Sequence, residues 1–178
     1  MPSEQAEGVI TVWVPGVARP QGSKNGIAIA RGSKAKGTRV YTGKVVLLDS
    51  AKGLDEWRKA VRDELIPWAP TPPFAGGVMI EIWFVMPRPK YLNGKPTPRA
   101  TKRPDADKLL RAVMDAVTFA HVWHDDSQAT RIVVDKVIAE QGETPGCLIT
   151  VTPLSDPLTG TDALTTFARA LAIAQEDT

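Results

Sequence analysis

The stretch TKRPDADKLLRAVMDAV, Thr101 to Val117, sets Asp105 and Asp107 directly after a basic run and directly before an apolar-striped segment. Aspartates so placed have two uses. One is structural: Asp at a helix N-cap or first turn accepts orphan N–H bonds and meets the positive end of the helix dipole, at about 1 kcal/mol per contact. The other is metal binding. Side chains at i and i+2 diverge from a regular helix start but converge in an extended entry, and Pro104 biases Arg103 toward an extended backbone. WHDDSQ offers further oxygen donors, Asp125 and Asp126, where the chain turns back after the segment. Hard divalent cations take carboxylate oxygens, and Mg²⁺ commonly completes its shell with water and substrate phosphate. The basic residues upstream would then hold a phosphate backbone.

Context removes some rivals. A haloacid-dehalogenase nucleophile lies directly at the end of an apolar strand, whereas TKRP intervenes here. Glycosyltransferase DxD sites also follow strands, in generally longer chains. His121 and His124 have no third histidine beside them, and Cys147 is the only cysteine, so a loop imidazole is the simpler account of each.

The elements that must position these residues follow from periodicity. VITVWVPGV alternates and reads as a strand ended by Pro15-Gly16. GIAIA and TRVYT, inside a Gly/Ser/Lys-rich stretch, are a candidate hairpin. A helix capped by Ser50 should run to about Ile66, with Leu54, Trp57, Val61 and Leu65 on one face and Pro67 as its stop. VMIEIWFVMP is a nearly continuous apolar run, expected as a central strand buried on both faces. After a basic loop, a helix from about Asp107 to Phe119 carries Leu110, Val113, Met114 and Val117 at i, i+3, i+4, i+7. TRIVVDKVIAE and CLITVTP read as strands. A last helix, about Asp162 to Ala174, presents Leu164, Phe167, Ala168 and Leu171. The class is α/β or α+β with a mixed sheet flanked by helices. The expected organisation is one domain over residues 1–153 and a C-terminal extension over 154–178.

Length and composition agree: 178 residues with 43% hydrophobic content suit one globular core. The start MPSEQAEG lacks an apolar signal core, and no apolar run approaches ~20 residues, so a cytoplasmic protein without membrane contact is expected. Net charge is +2 but unevenly spread. Arg19 to Lys52 holds eight bases against the single acid Asp49, and Pro87 to Arg103 holds six bases and no acid. Two basic loops suggest a polyanion partner on one face, although solvated loops account for the charge equally well. Neither loop has the aromatic interleaving that marks single-strand stacking platforms.

RPDADKLLRAVMDAVTFAHVWHDDSQATRIVVDKV, Arg103 to Val137, resembles the signature of the RusA-type Holliday-junction resolvases. That family typically shows R/K-P-D-x-D-N, an amphipathic helix with an internal D-A, and W/Y-x-D-D-x-Q before a strand. VPGVARPQGSKN is similar, more loosely, to its Pro/Gly-rich basic loop. The resemblance implies a homodimeric, Mg²⁺-dependent endonuclease, with Mn²⁺ an alternative ion, acting on four-way DNA junctions in recombination and repair. It assigns metal-binding and catalytic roles to Asp105, Asp107 and Asp126. The family's catalytic lysine falls on Arg111, whose guanidinium keeps the charge but cannot give up a proton. Lys108 stands where the family usually has Asn. Lys24, Arg88, Lys102, Arg103 and Lys108 are the candidate DNA contacts. The mechanism implied is in-line hydrolysis leaving 5′-phosphate and 3′-hydroxyl ends. Two alternatives stay open: a flap or branched-DNA nuclease without junction specificity, and a catalytically weak DNA-binding module. The structural account of Arg111 is i, i+4 pairing with Asp107 and Asp115, worth a few tenths of a kcal/mol.

Overall fold

The computed structural model describes residues 8–22, 25–31, 40–48 and 53–154. In chain order they form β1 (Ile10–Pro15), β2 (Asn25–Arg31), β3 (Val40–Leu48), α1 (Leu54–Leu65), β4 (Val78–Met86), α2 (Ala106–Phe119), β5 (Ala129–Ile138) and β6 (Gly146–Pro153). Four strands make a mixed sheet in the order β1-β6-β4-β5. β4 and β5 are parallel, and the other two pairings are antiparallel. β2 and β3 form a separate antiparallel hairpin, as GIAIA and TRVYT suggest. The fold is α+β, in line with the alternation of apolar patterns along the chain.

α1 buries the four residues that its periodicity selects: Leu54, Trp57, Val61 and Leu65. Its N-cap is Gly53, at φ 80°, a left-handed conformation that costs glycine little. Ser50, expected as the cap, lies outside the described residues, as do Lys24 and the candidate helix at 162–174. α2 starts at Ala106, and its buried stripe is wider than the spacing suggests. Leu109, Ala112 and Ala116 join Val113, Met114 and Val117 in the core, while Leu110 is only partly buried. Small alanines let α2 lie close to its neighbours. Trp123, fully buried, closes the end of the helix and donates from Nε1 to Thr118 Oγ1 at 2.7 Å. His121 takes the left-handed conformation there (φ 58°), its N–H donating to the Thr118 carbonyl, so it is a helix terminator.

β4 departs from expectation. It sits between β6 and β5, but only one of its faces is fully buried. Val78, Ile80, Ile82 and Phe84 point into the core, whereas Trp83 on the opposite face is 46% exposed. Trp13 of β1 is exposed on that face too; both tryptophans pair in register with Leu148 of β6. A strand-length apolar run fixes the strand but not the number of layers packed on it.

The β4–α2–β5 crossover positions the residues of interest. Its first connection, residues 87–105, carries the second basic loop into α2. Its return, residues 120–128, carries Asp125 and Asp126 into β5. The loop after β1 leaves through Gly16 (φ 130°), whose N–H donates to the Pro145 carbonyl. It then docks on the start of α2 through Gln21 N–H to Lys108 O, 2.8 Å.

Candidate active site

Asp105 occupies the N-cap position of α2 in an extended conformation (φ −72°, ψ 141°), yet its side chain makes no capping bond. Its Oδ2 instead accepts from Lys108 Nζ at 2.8 Å. That hydrogen bond, with the Lys108 charge and more distant help from Arg103 and Lys136, holds the carboxyl below its ordinary value of 3.8. The structural account of Asp105 is therefore not the one realised. The first turn of α2 is left without a side-chain acceptor, and its N–H groups and dipole favour an anion there. Asp107, in the same turn, is exposed and makes no hydrogen bond or ion pair with the described residues. The loop entering this turn is pinned by Lys136 of β5, whose Nζ donates to the carbonyls of Lys102 (2.9 Å) and Pro104 (2.8 Å).

The adjacent pair Asp125–Asp126 divides its labour. Asp125 caps the 3-10 turn Asp126–Gln128: its Oδ1 accepts from Ser127 N at 2.9 Å, and its own N–H donates to Gln128 Oε1. Those Ser127 bonds hold the Asp125 carboxyl below the usual range. Gln128 Nε2 in turn donates to the carbonyls of Phe74 and Gly76, fixing the turn to the connector before β4. Asp126 is exposed and has no such task. It lines a cleft of about 370 Å³ with Arg111, Asp115 and Gln21. Gln21 Oε1 is buried there without a hydrogen-bond partner, an acceptor left over for a water or a ligand donor.

Arg111 does not make the expected bridges to Asp107 and Asp115. Asp115 accepts from Arg58 of α1 at 2.7 Å, an ion pair that links the two helices. Arg111 is exposed and, among the described residues, unpaired. It lines the same cleft as Asp126.

The three aspartates suit a hard divalent cation by chemistry, since all are accessible carboxylates. Among the described residues, however, no three His, Cys, Asp or Glu side chains gather closely enough to hold a metal ion. Asp105 borders one cleft and Asp126 the other. Mg²⁺ with one or two carboxylates, water and a substrate phosphate is compatible with that spacing; a closed protein cage is not.

The basic residues also sort themselves. Arg88, expected as a phosphate clamp, is a loop staple. Its guanidinium donates to Thr97 Oγ1 and to the carbonyls of Leu92, Lys95 and Ala139, and its side chain is only 9% exposed. Arg99, Lys102 and Arg103 are exposed around a cleft of about 850 Å³ that reaches Asp105 and Lys108. Arg19, carried in by the β1 loop, lines the same cleft and joins the candidates. Lys136 is a further residue that spacing did not single out, since its role depends on a strand 32 residues beyond Pro104. Tyr91, 55% exposed, lines the same cleft, with Lys102 Nζ 3.2 Å from its hydroxyl. Tyr91 is an aromatic within the second basic loop itself, which a search for repeated interleaving passes over.

A protein-family model described as Endodeoxyribonuclease RusA matches residues 27–152, more than two thirds of the chain. No curated protein matches the chain. The matched span begins within β2, ends within β6 and includes every described aspartate and basic residue above except Arg19.

Proposed function

The chain belongs to the RusA endodeoxyribonuclease family, and on that premise we propose that it is a Mg²⁺-dependent, structure-selective nuclease that resolves four-way DNA junctions in recombination and repair. One observation carries the reading. Asp107, Asp126 and Arg111 make no hydrogen bond or ion pair with the described residues, while Asp115 and Asp125, the acids beside them, are committed to structure. Asp107 stands in the uncapped first turn of α2, and Arg111 and Asp126 line one cleft; a divalent cation on such carboxylates, with the guanidinium, suits a phosphodiester.

Asp105, Asp107 and Asp126 are the carboxylates from which Mg²⁺, with Mn²⁺ as a substitute, would take one or two ligands, with water and substrate phosphate completing its shell. Such an ion supplies a Lewis acid for the phosphate and a water of lowered pKa. The chain's own residues do the rest. Arg111 offers its guanidinium to charge developing on the phosphoryl oxygens. Lys102 and Arg103 hold the backbone upstream of the cut, assisted by Arg19 and Arg99. Lys24 is assigned the same role. A homodimer with two such sites, placed on a junction of approximate two-fold symmetry, nicks opposed strands in one encounter.

The test is incubation with a mobile four-way junction, a replication fork and a linear duplex, each with Mg²⁺ and with excess chelator. Paired nicks in the junction, dependent on Mg²⁺, are expected. Equal cutting of fork and junction would replace junction resolution with general branched-DNA cleavage, and undiminished cutting in chelator would remove the metal.

A further inference from the structure

Phosphate clamping uses the rim of the larger cleft and leaves the rest of its lining unexplained. The rim is cationic: Arg99, Lys102 and Arg103 stand on it, and its acid, Asp105, is already paired with Lys108. Much of the remaining lining is apolar, with prolines, Met86 and Ile138, and Tyr91 is among it. Tyr91 is not a loose surface residue. It lies in a 3-10 turn (Lys90–Leu92) anchored by buried Leu92. Arg88 holds the carbonyls of Leu92 and Lys95, which fixes the backbone on the far side of the turn. Lys102 Nζ lies 3.2 Å from the tyrosine hydroxyl and 5.1 Å from the ring centre, a cation–π approach from the hydroxyl end. With 55% of Tyr91 exposed, ring surface remains for stacking.

A fixed, exposed aromatic ring among apolar residues accepts a flat π-system, and the cationic rim accepts a phosphodiester. Together they describe one ligand, an unstacked nucleotide still joined to its backbone. The cavity volume of about 850 Å³ is in the range of small-ligand clefts. Bases at a DNA branch point are the least costly to unstack, because they have already lost part of their pairing or stacking.

We propose that this cleft receives one unpaired deoxynucleotide from the branch point, its base stacked on Tyr91 and its phosphate held by Lys102 and Arg103, beside Asp105. The proposal rests on the branched-DNA reading above and adds to it how the branch is recognised. A groove for duplex backbone alone needs the cations but not the ring.

The experiment measures binding of the full-length protein in chelator, so that cleavage does not intervene. Its probes are a four-way junction with one unpaired adenine at the crossover, the same junction with an abasic residue there, and a linear duplex. Wild type should bind the adenine junction roughly tenfold more tightly than the abasic one, the scale of one base–aromatic stack. Tyr91→Phe should keep that difference and Tyr91→Ala should erase it, each read as the ratio of adenine to abasic affinity within one variant. Equal wild-type affinity for the adenine and abasic junctions, with both preferred over duplex, overturns the stacking proposal and leaves the junction reading standing. The adenine–abasic comparison needs only wild-type protein, so it decides even where a variant folds poorly. No preference for either junction over duplex overturns both.

Discussion

Lys108 Nζ lies 2.8 Å from Asp105 Oδ2, so the first turn of α2 holds a cation on a carboxylate proposed to bind metal. The pair lowers the Asp105 pKa, so its stabilising effect is present above the ordinary 3.8 and is lost as pH falls below that value through the folded pKa. At neutral pH, a Mg²⁺ ion taking Asp105 as a ligand would have to displace or share this partner. Lys108→Asn, the residue usual in the family pattern, should lower the Mg²⁺ concentration for half-maximal cleavage roughly two- to five-fold, the range for an exposed ion pair. It should also return the Asp105 carboxyl toward its ordinary pKa, read by ¹³C NMR titration. An unchanged Mg²⁺ requirement would mean that Lys108 swings aside without cost.

Asp125 and Asp126 should respond oppositely to substitution. Asp125→Ala removes a cap and should cost about 1 kcal/mol of stability in urea unfolding, with turnover largely kept. Asp126→Asn and Asp107→Asn should abolish cleavage while leaving the urea midpoint and junction affinity near wild type. Near-normal cleavage by either Asn variant would displace that residue from the site.

Arg111 separates charge from proton transfer. If its guanidinium stabilises developing phosphoryl charge, Arg111→Lys stays active and Arg111→Ala loses roughly 10²–10³-fold in single-turnover rate. Having no partner among the described residues, Arg111 should be removable with a stability change within about 0.5 kcal/mol. A large rate gain in Arg111→Lys would instead show that the reaction needs an amine able to lose its proton.

The basic residues should divide by salt dependence. Removing charge at Lys102 or Arg103 should lower the log–log salt slope of duplex binding by roughly 0.9 for each phosphate that is no longer neutralised. Arg88→Ala should instead lower stability by about 1–3 kcal/mol, because it removes the charged donor that joins Thr97 and the Leu92, Lys95 and Ala139 carbonyls, and should change the slope only if the loop rearranges. A slope change at Arg88 with unchanged stability would reverse this assignment.

Local pattern determined much of this protein. The 3.6-residue spacing of Leu54, Trp57, Val61 and Leu65 found the buried face of α1 without tertiary information. The stretch from Arg103 to Val137 resembles the signature of the family that the match over 27–152 shows, with Arg111 a departure from it. These features have short-range causes: helix period, strand alternation and the reach of a few residues. What the sequence could not apportion was the use of each polar group. Arg58 takes Asp115 across 57 positions, and Arg88 takes the Ala139 carbonyl across 51. Such long-range partners decided that Arg88 is a staple and that Arg111 is without its expected bridge to Asp115. Asp125 and Asp126 show a finer limit, for identical neighbours differ only in which one faces the Ser127 N–H. Tyr91 and Trp83 show the same limit for apolar surface: one lines a cleft edged by cations, and the other stays exposed on a central strand. A side chain's chemistry is set by its type, but its availability is set by which distant groups the fold brings within hydrogen-bond range or packs over it.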